Sequence, residues 1–222
     1  MFRFLRREDE ERLDRVEAIL QEMFERGREV FDLAISTLLD RAPVAEIGPK
    51  LRATDLKINE LEQELRRQLA VHASVFGGIE TPVVLVYMSI VKDLERLGDY
   101  AKNLLDLARD GADFSTLADA DDWRRIAGEI AAQITEAAAT FRERDVEAAR
   151  RVVEKAKVLM SDFDRRVTAL VRGDDTGPQA VARALACRYL KRVAAHVSNV
   201  LTAVINPVDK LDFLENNRAA RE

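Results

Sequence analysis

The stretch VKDLERLGDYAKN, residues 91–103, and its echo CRYLKRVAAHVSN, residues 187–199, decide the fold. At a constant offset of 96 residues Val91 meets Cys187, Leu94 meets Leu190, Arg96 meets Arg192 and Asn103 meets Asn199. The same offset pairs Pro82 with Pro178, which reads as a shared helix-opening proline, and Leu105 with Leu201. In the preceding segment the offset is 102: Leu51, Ile58, Leu61 and Leu65 return as Val153, Met160, Phe163 and Val167. The intervening loop is therefore six residues shorter in the second copy. Core positions matched on both sides of a loop of unequal length imply a duplication. A period of about 100 residues is too long for a stacked solenoid unit.

Each copy reads as three helices. Tyr87, Val91, Leu94, Gly98, Ala101 and Leu105 follow a 4-3-4-3 spacing and form one apolar seam. The periodicity predicts helices over about Asp9–Leu39, Val44–Val71, Thr81–Arg109, Trp123–Arg142 and Asp145–Arg172. A sixth follows GDDTGPQ and ends before Asn206-Pro207. Thr81 suits an N-cap and Pro82 the first helical position. The polar run GADFSTLADADD, residues 111–122, is the one stretch that reads as a boundary. The expected architecture is all-α: six long antiparallel helices in two tandem three-helix bundles, residues 1–112 and 113–222.

Composition narrows the function. Only 9 Gly and 5 Pro in 222 residues favour helix, and 47% hydrophobic with 34% charged residues marks a globular chain. A net charge of −5 argues against a nucleic-acid-binding surface. The lone Cys187 excludes an internal disulfide and a cysteine-built zinc site, and it falls on the seam as a small core residue. The longest apolar run, Pro82–Val91, is too short to span a membrane, and the first dozen residues lack the apolar core of a signal peptide. Phe2, Phe4 and Leu5 lie beside Arg3, Arg6 and Arg7, which reads as a frayed or partly packed helix start in preference to a contact with a membrane or a transporter. The last dozen residues read as a charged, fraying tail.

Two carboxylates stand out. Glu95 and Asp99 are four residues apart on one helical face, beside the seam, where like charges repel by about 0.2–0.5 kcal/mol. Asp55, Asn59 and Glu62 flank the seam of the preceding helix in the same way. If the two helices pack antiparallel, their oxygen ligands converge, and such ligands suit Mg, Mn, Fe or Zn without choosing among them. From the spacing alone a solvated face is the favoured reading, because Arg96 or Lys102 would neutralise the acids locally. The second copy has Lys157 for Asp55, Lys191 for Glu95 and Ala195 for Asp99, so a cation site is expected in the first copy only.

DLERLGDYAKNL, residues 93–104, together with ATDLKINELEQEL, residues 53–65, and the duplication, resembles the PhoU family of phosphate-signalling regulators. The resemblance covers nearly the whole chain. It implies a cytoplasmic, non-enzymatic regulator that binds a phosphate ABC transporter or another phosphate transporter, and a sensor histidine kinase. Contact with the membrane would then run through those partners, and a homodimer is among the expected assemblies. The resemblance further implies iron or zinc on the helical surface, with Glu95 and Asp99 as ligands and Asp55 as an addition from the facing helix. YLKRVAAHVSN, residues 189–199, departs from the family pattern by lacking both acids. A metal-binding scaffold without a signalling role, or a relative of the cytosolic domain of a sodium/phosphate cotransporter, are the alternatives.

No catalytic constellation is present. His72 and His196 do not form the Glu-x-x-His pattern of a di-iron bundle, and VFGGIETP has neither the lysine nor the strand of a phosphate-binding loop. Trp123 is expected to anchor the fourth helix.

Overall fold

The computed structural model describes the backbone of residues 2–212 and the side chains of residues 14–75, 78 and 80–212. Six helices follow in order: α1 (Phe2–Leu39), α2 (Val44–Phe76), α3 (Thr81–Arg109), α4 (Ala120–Glu143), α5 (Val146–Arg172) and α6 (Ala180–Ile205). Short 3-10 turns cover Gly77–Glu80, Phe114–Thr116 and Val208–Lys210. No strand occurs among the described residues. The expected roles of the Phe2, Phe4 and Leu5 side chains and of the tail beyond Asp212 lie outside the described residues.

Local chemistry sets the ends. Asp145 caps α5 by accepting the amide of Ala148 at 2.9 Å, and Gly173 closes that helix in the left-handed region at φ 77°. The α2–α3 corner turns at Gly78, φ 58°, a conformation that glycine adopts without strain.

Three expectations about helix ends are corrected. α2 runs on to Phe76 instead of stopping at Val71, because nothing in HASVF breaks a helix before the glycine pair. Thr81 is the first residue of α3, not its cap; Glu80 holds the cap position without a side-chain bond, and the preceding 3-10 turn runs directly into the helix. Pro178 does not open α6. It precedes Gln179, which adopts φ 58° and clamps the linker, its Oε1 accepting from the Asp113 amide and its Nε2 donating to the Asp113 carbonyl, both at 2.9 Å.

α1, α2 and α3 pack on one another, and α4, α5 and α6 do likewise, with α5 against α6 the most extensive contact. The two triplets join through α3 on α6 and α1 on α4, and one continuous core runs through both. Phe24 and Phe141 meet across α1 and α4 with ring centroids 6.4 Å apart. Phe114 of the linker is buried and packs on Trp123 at 4.8 Å, so Trp123 anchors α4 as expected.

α3 and α6 run antiparallel about a pseudo-two-fold. Asp93 lies against His196, and at the offset of 96 the corresponding pair is Tyr189 and Tyr100, whose rings lie 6.2 Å apart. Asp93 is fully buried. Its Oδ1 accepts from His196 Nδ1 at 2.6 Å and Asn199 Nδ2 at 3.2 Å, and its Oδ2 from Lys92 Nζ at 3.1 Å. Burial pushes the Asp93 carboxyl up, but these three partners outweigh it and hold it below the ordinary carboxylate value. The Tyr100 ring stacks on His196 at 5.6 Å. Sequence reasoning missed Asp93, since an acid at that position looks like any other on a polar flank.

Cys187 is buried on the α6 seam, and burial raises its thiol from 9.0 to about 12. Between those values the unfolded chain ionises and the folded one does not, so stability falls as pH rises from 9.0 to about 12. The slope is at most about 1.4 kcal/mol per pH unit. Cys187→Val, which copies Val91 of the first half, should keep neutral-pH stability within about 1.5 kcal/mol and flatten that alkaline limb in urea unfolding.

Candidate functional site

α3 presents Glu95, Asp99 and Lys102 along one flank, and the antiparallel α2 brings Asp55 and Glu62 beside them. The result is a chain of charges. Lys102 Nζ lies 2.8 Å from Asp55 Oδ2 and 3.0 Å from Asp99 Oδ1, bridging the two helices. Arg96 Nη1 donates to Asp99 Oδ2 at 2.7 Å, and its Nε lies 3.7 Å from Glu95 Oε2. Arg66 holds Glu62 at 2.8 Å.

These neighbours set the titration of the group. Burial, then the Asp99 charge, raises the Glu95 carboxyl above its usual range; Arg96 opposes them and Glu62 adds to them. Burial lowers the Lys102 ammonium, but Asp55 and Asp99 more than offset this and hold it above the ordinary lysine value. Asp99 and Asp55, expected as ligands, are thus brought onto one ammonium, while Glu95 sits beside Arg96. Among the described residues no three His, Cys, Asp or Glu side chains are gathered into a group that could hold a metal ion as they stand.

Asp55 reaches this position because of Gly98. A Cβ at residue 98 would collide with Asp55 Oδ1 and lie 3.6 Å from Ile58 Cδ1. Asp55 is 7% exposed, and its Oδ1 has no hydrogen-bond partner among the described residues. The glycine in ERLGDY is a seam residue that doubles as the seat of a carboxylate from the next helix. Its counterpart in the second half is Ala194, where Lys157 replaces the aspartate.

The second half inverts the charges. Lys191 Nζ, at the position of Glu95, lies 2.7 and 2.6 Å from the two carboxylate oxygens of Asp164, the counterpart of Glu62. Arg188 approaches the same carboxylate at 3.6 Å. Lys157 turns to Glu154 at 3.3 Å. An ammonium and a carboxylate here replace the two carboxylates of the first half.

Residues 3–108 match the family model of the PhoU domain, a span that includes Asp55, Glu95 and Asp99. That match spans nearly half of the chain and bears out the resemblance read from the sequence. A phosphate-specific transport system accessory protein PhoU homolog of Synechocystis sp. is 28% identical over 163 residues, covering 68% of this chain and 73% of that protein. The crystal structure of PhoU from Pseudomonas aeruginosa superposes with a TM-score of 0.75 at 20% identity, covering 88% of this chain and 96% of the other. The phosphate transport system regulatory protein PhoU from Streptococcus pneumoniae gives 0.69 at 16% identity, over 86% of this chain and 93% of the other. At these identities the two structures establish the shared PhoU fold.

Gly98→Ala tests the seat. Alanine is the better helix former by about 0.8–1 kcal/mol, yet overpacking against Asp55 costs about 1–3 kcal/mol, so the single variant should be destabilised in urea unfolding. In an Asp55→Ala background the same change should be neutral or stabilising. Equal effects in both backgrounds would show that Asp55 does not rest on Gly98.

Proposed function

We propose that the chain is a cytoplasmic regulator of phosphate transport and phosphate-responsive signalling that works by docking. Its partners are a phosphate transporter, of the ABC or another type, and a sensor histidine kinase, and it performs no catalysis of its own. The observation that carries this reading is the PhoU domain over residues 3–108. The name of the Synechocystis relative supports it, as a transport-system accessory protein. No helix among the described residues is long and apolar enough to cross a membrane, which agrees with a partner that reaches the membrane through others. The halves 1–112 and 113–222 are then one ancestral unit and its degenerate copy.

The same reading includes a metal. Iron or zinc, with magnesium and manganese as further candidates, would be held by Glu95, Asp99 and Asp55. Two features support the fit: the buried Asp55 Oδ1, which has no hydrogen-bond partner among the described residues, and the absence of a Cβ at Gly98, which lets that carboxylate sit between the helices. The ion would supply fixed positive charge on the α2–α3 surface. The protein's part is to orient that surface, through the Gly98 seat and the Arg96 and Arg66 ion pairs.

Deleting the gene should derange a phosphate-responsive reporter and phosphate uptake, by several-fold in phosphate-rich cells. The purified chain should retain transporter or kinase subunits from cells limited for phosphate. Unchanged reporter and uptake in both rich and starved cells would overturn the regulatory reading.

A further inference from the structure

We infer that Lys102 is the built-in cation of the acidic surface, and that a divalent ion enters only by exchange for its ammonium. This rests on the metal reading above and adds to it a competitor within the chain itself. Lys102 Nζ is shared between Asp55 and Asp99, the two carboxylates that come from different helices and would have to bridge any ion. An ammonium offers three donors and no more, and two of them are spent on these oxygens. It leaves Asp55 Oδ1 buried and without a hydrogen-bond partner among the described residues. A divalent ion can take one or both oxygens of a carboxylate and several ligands at once, so it offers Asp55 a coordination that the lysine cannot.

The two cations exclude each other. Asp55, Glu62, Glu95 and Asp99 face Lys102, Arg96 and Arg66, so four negative charges meet three positive ones in a nearly balanced network. A doubly charged ion added beside the ammonium would turn the surface positive and place like charges in contact. Exchange avoids this. The Lys102 side chain is 35% exposed, and its ammonium sits on a flexible stem that can swing into water, while Arg96 keeps its own grip on Asp99. A tethered ammonium acts at high effective concentration, so monovalent ions lose to it and the site selects for divalent charge. The second half supports the pairing of lock and acids: at the positions of Lys102, Asp99 and Glu95 it has Ser198, Ala195 and Lys191. The lysine is found where the acids are, and both are replaced together. On loading, the freed Lys102 adds a mobile cation next to the α2–α3 surface, so metal occupancy would change the charge that a docking partner meets.

The test is calorimetric titration of the full chain with Mn²⁺, backed by elemental analysis of Mn²⁺-equilibrated, desalted protein. Lys102→Met should bind Mn²⁺ at least tenfold more tightly than the wild type, and adding Asp55→Asn should erase that gain. Its melting temperature should lie below wild type without Mn²⁺ and rise further on adding it. If the wild type binds Mn²⁺ and Lys102→Met binds it equally or more weakly, the exchange is wrong while the metal reading stands. If neither binds Mn²⁺, nor Zn²⁺ or Fe²⁺ in the same titration, both fall. Should circular dichroism show that Lys102→Met does not fold, Lys102→Gln, uncharged but still a hydrogen-bond donor, is judged by the same criterion.

Discussion

A fully buried carboxylate is costly unless charged and hydrogen-bonding partners offset its desolvation, and breaking a buried pair costs about 3–5 kcal/mol. Asp93 imposes this condition on the contact between the halves. Its partners come from two directions: Lys92 from its own helix, and His196 and Asn199 from α6. Sliding α3 by one turn along α6 would keep apolar residues in contact but leave Asp93 unsatisfied, so the charge fixes the register that packing alone would leave loose. Glu95 is two residues farther on and points to the opposite neighbour, α2. A single helix thus carries the clasp on one flank and the acidic surface on the other, and its register is set once for both.

Much of the architecture was legible because it depends on periodicity. The seam residues, the duplication and the loop of unequal length all follow from where apolar side chains recur, and the helices bury those positions. What periodicity could not supply was the chemistry of corners. Pro178 sits at the same offset as Pro82, yet the needs of a tertiary clamp between Gln179 and Asp113 decide its corner, and nothing in GDDTGPQ announces it. The acidic flank was legible as a pattern, and Lys102 was visible as one of two neutralisers. That Lys102 reaches across to α2, whereas Arg96 stays on α3, depends on the separation of the helices, which no sequence spacing contains.

Gly98 shows how a residue can be misjudged by its position. On the seam it looks like a small packing residue, one that alanine could replace, as Ala194 does in the second half. Its reason lies on the neighbouring helix, in a carboxylate that needs the missing methyl's space. Two of the substitutions that separate the halves, aspartate to lysine on α2 and glycine to alanine on α3, are one event in physical terms. Once the carboxylate has gone, the gap it required becomes a cavity that a methyl group fills at a gain.

The α3–α6 contact has a further consequence during synthesis. Asp93 and His196 are separated by 103 residues, so at about 5–20 residues per second the ribosome needs on the order of 5–20 s to deliver the second after the first. In that interval α1, α2 and α3 close on one another locally, but the outward face of α3 waits uncovered, with its carboxylate still hydrated. Any finished neighbour with an accessible α6 offers the same complementary face that the nascent chain lacks. On polysomes translating at high density, that waiting surface is the point from which a domain-swapped pair would start.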